Sequence, residues 1–340
     1  MTTYSSIGGY GFAVPPQVRE NSYFTEKTGV SAEWIVSRTG ISARHVLENG
    51  QTGSDLAKDA ALMALAACGR EAKEVTHILY ATCTPDSMCP STACALAHKL
   101  GVKGIMAVDV NAACSGFINC LELADGLTAR DPLACVLLVA AESLFYRCNV
   151  EDASTAVLFG DGAGAVIVEC RKTDGTPRRL PKAGLPKAEL VDVLLGSDGS
   201  LGGHLLMDGG FASLPYKLGE TVGPEYFIRM NGGLVFKNAV RRLTECSAEI
   251  LKRNGYGVEQ VDLFVPHQAN LRIIEAVGSR LGIGEEKVFL NVHKYGNTSA
   301  ASVPIALGEA LREGRIREGT LVLISTFGGG LTWGSALLKF

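Results

Sequence analysis

The chain says the same thing twice. A short apolar strand, His77–Thr82, is answered by Asp262–Val265. A second strand, Met106–Val110, runs into the helix-like NAACSGFINCLELADGL, and Val288–Val292 runs into GNTSAASVPIALGEALREG. The buried runs Cys135–Ala140 and Leu321–Ser325 correspond. So do the glycine-entered strands Ala163–Glu169 and Gly334–Phe340. Ile78 pairs with Leu263 and Val136 with Leu321 at one and the same interval, and Cys114 pairs with Asn297 at almost that interval. A near-constant offset over several elements implies two copies of one βα unit. Near-continuous apolar strands imply sheets covered by helices on both faces.

Amphipathic helices are expected at Ser54–Ala67 and Val235–Arg253. The expected division is a first half over 1–170, a connecting segment over 171–225 and a second half over 226–340. Residues 171–189, rich in Pro, Lys and Arg, read as a solvated surface excursion or as a basic lip near an anionic partner.

The net charge is −3, so no global basic field supports nucleic-acid binding. No apolar run is long enough to span a bilayer, and the N-terminus lacks the pattern of a signal peptide. The expectation is therefore a cytoplasmic chain without a membrane or nucleic-acid partner. There the ten cysteines should be reduced thiols, and no C-x-x-C pair suggests a metal site.

Cys114 stands where a strand gives way to a helix. Helix N-termini carry unpaired N–H groups and partial positive charge, which is expected to lower the thiol pKa. Asn297, at the matching turn, is also a good helix cap. If the copies are related by a two-fold axis, Cys114 and Asn297 meet at the centre. His267 follows another strand on the same edge and supplies an acid, base or donor. Phe327-Gly328-Gly329-Gly330 is either a tight turn or a row of N–H groups for an oxyanion. Gly160-Asp161-Gly162-Ala163-Gly164 precedes a strand instead of opening a helix, which excludes a dinucleotide fingerprint.

With these residues in view, the sequence closely resembles the β-ketoacyl-[acyl carrier protein] synthase III family. The match rests on WIVSRTGI at 34–41, DVNAACSGF at 109–117, FGDGAGA at 159–165, VPHQANLRI at 265–273, YGNTSAAS at 295–302 and FGGGLTWGSAL at 327–337. The resemblance implies a thiolase-like fold, an internally duplicated five-layered α/β/α/β/α arrangement, and a homodimer. It implies that Cys114 takes an acyl group from an acyl-CoA. His267 and Asn297 then stabilise the enolate formed from malonyl-acyl carrier protein, and the N–H groups of Cys114 and Gly329 form the oxyanion hole. No metal or redox cofactor is expected. Trp34, Arg38, Asn270 and Arg272 match CoA-binding positions. Lys237, Arg272 and Arg280 match the surface that receives the acyl carrier protein. An Arg that often stacks on the adenine is here Ala153.

Cys83, Cys89, Leu144 and Phe159 fall at acyl-pocket positions. Cys89 aligns with a Phe that, in acetyl-specific members, reaches across the dimer to cap the pocket. Smaller side chains leave room, so primers larger than acetyl are expected. An alternative is a secondary-metabolism relative using a longer, branched or aromatic primer. A Cys-His-Asn hydrolase is opposed by the motif order, and a non-catalytic acyl-binding relative by the intact nucleophile.

Overall fold

The computed structural model describes residues 3–48, 50–172 and 185–340. Most of the 171–189 excursion thus lies outside the described residues. Nine strands form the main sheet: β1 (Thr3–Ala13), β2 (His77–Ala81), β3 (Met106–Val110), β4 (Cys135–Glu142), β5 (Gly162–Lys172), β6 (Ala188–Ser197), β7 (Leu263–Pro266), β8 (Leu321–Gly328) and β9 (Thr332–Lys339). Their order is β7-β8-β9-β6-β1-β5-β4-β2-β3.

The order contains the duplication. β2 and β4 are parallel and β4 and β5 antiparallel, and β7, β8 and β9 repeat that pattern. β1 beside β5 corresponds to β6 beside β9. Among the described residues, the two halves of the main sheet pair through Ser6 with Glu189 and Ile7 with Ala188. Ala188–Ser197, inside the expected connecting segment, is therefore a strand of the sheet.

Seven helices matter to the argument: α1 (Ala32–Thr39), α2 (Gly53–Cys68), α3 (Thr92–Lys99), α4 (Gly116–Arg130), α5 (Gly232–Arg253), α6 (Leu271–Leu281) and α7 (Ser302–Arg312). Apolar side chains sort them into layers. α2 and α3 pack with the outer residues of the first half, such as Ile78, Tyr80, Leu137 and Ile167. α5 and α6 do the same with Phe264, Leu323 and Leu337. α4 and α7 lie between the halves, where Phe117, Ile118, Ile305 and Leu307 share one core with Leu79, Val136, Val265 and Ile324. The result is the α/β/α/β/α order.

Local sequence explains the placements. All eight residues of β4 are buried, as its apolar run requires. α2 begins with a capping box between Thr52 and Asp55 and ends on a left-handed Gly69. A Cβ at Gly11 of β1 would lie 2.6 Å from the Ala64 nitrogen, so glycine there lets α2 settle on the sheet. β3 is an edge strand, and Met106 is 43% exposed. No helix among the described residues is long and apolar enough to cross a membrane.

One expected strand is absent. Val288–Val292 makes a single bridge, Val288 with Phe264. The N–H groups of Asn291 and Val292 are instead taken by Gln268 Oε1, at 2.9 and 3.1 Å. A side chain thus satisfies donors that a ladder would otherwise use.

Candidate active site

Two turns build the centre. After β3, Asn111 Oδ1 accepts the Ala113 N–H at 3.2 Å, and Ala113 adopts a left-handed φ of 46°. A single turn, Ala113–Ser115, then leads into α4. In the second half Asn297 Oδ1 accepts the Ser299 N–H at 2.9 Å, and Ser299 has φ 50°. The turn Ser299–Ala301 leads into α7. Asparagine suits both places because its short side chain caps the backbone two residues on.

The matching turns fix the true correspondence. Asn111 answers Asn297 and Ala113 answers Ser299, so the partner of Cys114 is Ala300. The sequence pairing of Cys114 with Asn297 is corrected accordingly. The two turns still meet. A Cβ at Gly116 would lie 3.4 Å from that of Ala300.

Cys114 is buried, and burial is the largest influence on its thiol, pushing its pKa up to about 12. The Ser299 hydroxyl opposes the shift, and the Glu142 carboxyl adds to it. Burial thus acts against the lowering expected from a helix terminus, because it disfavours the charged thiolate. Glu142 ends β4 and is fully buried. It accepts from Thr82 Oγ1 at 3.0 Å, Thr84 Oγ1 at 2.7 Å, the Cys83 N–H at 3.1 Å and Ser299 Oγ at 3.0 Å. Burial raises its carboxyl above the ordinary range despite these donors.

His267 directly follows β7, with its N–H on Ser325 O at 2.8 Å. Burial alone drives its imidazole down to about 3, so the ring is neutral at physiological pH. Its Nδ1 lies 2.6 Å from Ser302 Oγ, which also accepts the Gln268 N–H at 3.3 Å. In the tautomer in which the Ser302 hydroxyl donates to Nδ1, Nε2 carries the ring proton. The Asn297 backbone is held by Leu158 O at 2.8 Å and by the Gly160 N–H at 3.1 Å. Its Oδ1 already serves Ser299, so its Nδ2 remains as a donor. The centre therefore offers a thiol and two neutral donors.

Two cavities meet at Cys114. One, of about 470 Å³, is lined by Cys114, His267, Asn297 and Phe327 and also by Trp34, Arg38, Ala153, Asn270 and Arg272. The Arg38 guanidinium lies 5.9 Å from the Trp34 ring. Asn270 caps α6 by accepting the Arg272 N–H, and its Nδ2 donates to Arg38 O at 3.0 Å, so both its polar ends are engaged.

The second cavity, of about 340 Å³, is lined by Cys114, Cys83, Leu144, Phe159, Met207, Phe211, Ile228, Ser299 and Gly329. A Cβ at Gly328 would lie 2.6 Å from the Cys114 nitrogen, so only glycine lets the two backbones come this close. Cys89 is exposed and does not line this cavity in its own chain. Lys237 and Arg280 are exposed on α5 and α6, outside both cavities.

The sequence reading missed four residues at this site. Glu142 was signalled only as the one acid in CVLLVAAE. Ser299 and Ser302 lay within the GNTSAAS segment without assigned roles. Arg147, almost wholly buried with no carboxylate among the described residues, donates to Tyr226 O at 2.7 Å and packs 4.2 Å from the Tyr226 ring. It ties down the stretch that supplies Met207, Phe211 and Ile228 to the second cavity.

Known proteins place this arrangement. Residues 108–180 match the family model described as 3-oxoacyl-[acyl-carrier-protein (ACP)] synthase III, and residues 251–340 match its C-terminal counterpart. A β-ketoacyl-[acyl-carrier-protein] synthase III of Nitratidesulfovibrio vulgaris (strain DP4) is 54% identical, with all of both chains covered. That of Oleidesulfovibrio alaskensis is 53% identical, again with all of both chains covered. The crystal structure of 3-oxoacyl-[acyl-carrier-protein] synthase III from Aquifex aeolicus VF5 is 40% identical, with a TM-score of 0.88, covering 99% of this chain and 100% of that one. This chain accordingly belongs to the β-ketoacyl-[acyl-carrier-protein] synthase III family, has its thiolase fold, and is an acyl-transferring condensing enzyme of the kind that starts fatty acid synthesis.

Proposed function

We propose that the chain joins an acyl-CoA primer to malonyl-acyl carrier protein, releasing CoA and CO₂ and yielding 3-oxoacyl-acyl carrier protein. The observation that carries this reading is that Cys114 lines both cavities. CoA enters along Trp34, Arg38 and Arg272. Cys114 attacks the thioester, and the acyl chain lies in the second cavity beside Cys83, Leu144 and Phe159. The N–H groups of Cys114 and Gly329 receive the oxyanion, each such donor being worth about 10²–10³ in rate.

Malonyl thioester then takes the first cavity. Its carboxylate leaves as CO₂, and the electron pair moves onto the thioester oxygen. His267 Nε2–H and Asn297 Nδ2–H donate to that oxygen. Two neutral donors suit this task, since neither must lose a proton as charge develops. The enolate carbon attacks the acyl carbonyl, and Cys114 leaves as thiolate. Every bond here is made between the two substrates and Cys114, so the scheme needs no metal or redox cofactor.

Exposed Lys237 and Arg280, with Arg272 at the cavity mouth, supply positive charge for an acidic carrier protein. The open edge of β3 supports a homodimer in which two such edges pair, and a dimer would bring Cys89 toward the partner's acyl cavity. The absence of a long apolar helix among the described residues agrees with a cytoplasmic enzyme. A cavity of about 340 Å³ beside the small Cys83 favours primers larger than acetyl. It also keeps a secondary-metabolism role with a longer or branched primer in view.

The test is intact-protein mass spectrometry after incubation with acyl-CoAs of increasing length, with Cys114→Ala as control. One adduct is expected, dependent on Cys114 and discharged by malonyl-acyl carrier protein. Absence of any adduct overturns the reading.

A further inference from the structure

Asn297 is held in a backbone clamp, and one buried side chain supports that clamp from within the core. The Asn297 N–H donates to Leu158 O at 2.8 Å, and its carbonyl accepts the Gly160 N–H at 3.1 Å. These two bonds make the parallel bridge of Phe159 with Asn297. Arg44, on the short strand Ala43–His45, is wholly buried. One of its terminal nitrogens donates to the Val157 carbonyl, and the other donates to Asn21 Oδ1 at 2.7 Å. Asn21 is anchored in turn, its Nδ2 donating to Ile41 O at 2.8 Å. The guanidinium carbon lies 4.3 Å from the centre of the Phe24 ring. Its Nε has no partner, and no carboxylate among the described residues pairs with it.

The stem fits as closely as the head. A Cβ at Gly296 would lie 3.3 Å from Arg44 Cβ and 2.7 Å from Leu158 O. A Cβ at Gly160 would lie 2.9 Å from Arg44 Cβ. Both sides of the bridge therefore rest against Arg44.

We infer that Arg44 is a positioning residue for Asn297, acting through the Val157 carbonyl and the Phe159–Asn297 bridge. This rests on the reading that Asn297 Nδ2 donates to the malonyl thioester oxygen. A donor to a developing oxyanion is effective when it is placed beforehand. Ser299 steadies the Asn297 side chain from one side. Gly296, with a left-handed φ of 65°, and the bridge set its backbone from the other. A guanidinium suits the supporting place because its planar fork holds two acceptors in fixed directions, whereas a lysine nitrogen is one point on a flexible stem. A buried cation without a counter-ion costs stability, which an apolar side chain there would avoid.

Arg44 lines neither cavity, so it acts on a substrate only through the residues it holds. Phe159 lines both cavities, whereas Asn297 lines the first and not the second. A general shift of the 157–160 segment would therefore impair both half-reactions. A loss that runs through Asn297 impairs decarboxylation.

The experiment measures kcat and KM for malonyl-acyl carrier protein decarboxylation, and single-turnover acyl loading from an acyl-CoA, on the full chain. Wild type, Arg44→Lys, Asn297→Ala and the double variant are compared. Arg44→Lys is expected to lower the decarboxylation kcat about tenfold, with KM and the loading rate within about twofold of wild type. On the Asn297→Ala background the same change is expected to cost less than about twofold, because the donor it places is already gone. Asn21→Ala removes one anchor of the guanidinium and leaves its charge in place. It should repeat the pattern, and it decides the matter if Arg44→Lys does not fold. Equal losses of loading and decarboxylation overturn the inference. So does an undiminished loss on the Asn297→Ala background, or a decarboxylation kcat that stays within about twofold of wild type in these variants. Asn297→Ala that decarboxylates at the wild-type rate overturns the reading of Asn297 as a donor, on which the inference rests.

Discussion

Asn111 and Asn297 make the same hydrogen bond in the two halves of the chain, each side-chain oxygen accepting the N–H two residues ahead. One turn shapes the approach to Cys114, and the other leaves an amide donor facing the first cavity. The two substitutions should therefore separate the half-reactions. Asn297→Ala is expected to slow malonyl decarboxylation by about 10²–10³ and to affect acyl loading less. Asn111→Ala is expected to slow loading more than decarboxylation. Rates for each half-reaction in both variants check this.

His267 makes a prediction about acid stability. Its folded pKa is lowered from 6.5 to about 3 by burial. Between those values the unfolded chain binds more protons than the folded one. This contribution is fully present above about pH 6.5 and is lost as pH falls toward 3, by up to about 1.4 kcal/mol per unit. Asp161, raised to about 6 by burial, pulls the opposite way over part of that range. The difference between wild type and His267→Asn isolates the histidine. Melting temperatures taken from about pH 7 to pH 4 should fall less steeply in the variant.

The second cavity predicts primer choice. Each methylene buried there is worth about 0.8 kcal/mol, or roughly fourfold in kcat/KM. Wild type should load butyryl- through octanoyl-CoA better than acetyl-CoA. Cys83→Phe fills space beside Leu144 and Phe159 and should penalise the longest primers most. Clear preference of the wild type for acetyl-CoA would refute the reading.

Arg147 predicts the behaviour of the cavity wall. A buried guanidinium without a carboxylate is costly, and here carbonyls and rings of one segment compensate it. Arg147→Met leaves the Tyr226 carbonyl without its donor, at about 1–3 kcal/mol. Hydrogen exchange over residues 205–228 should quicken while β4 stays protected. Unchanged exchange in that stretch would mean Arg147 does not hold it.

The duplication and most strands were legible because apolar runs such as Cys135–Ala140 report burial directly. That Cys114, His267 and Asn297 meet at one cavity was legible because each follows a strand or turn on one edge. Val288–Val292 misled because its apolar spacing cannot reveal that Gln268 takes its donors. Glu142 was hidden because an acid at the end of an apolar run reads as a strand terminus. For the Cys114 thiol, local sequence displays the helix start and not the burial that acts against it. The pairing of Asn297 with Asn111 needed coordinates, since a short slip in register is invisible where both turns consist of small residues.

The shared central layer has a consequence for the origin and handling of the chain. α4 and α7 each bury side chains against strands of both copies. Neither copy alone could hide these helices, so today's halves are not separable modules. Expressed apart, they should precipitate; expressed together, they should find one another, because each carries the missing face of the other's interior.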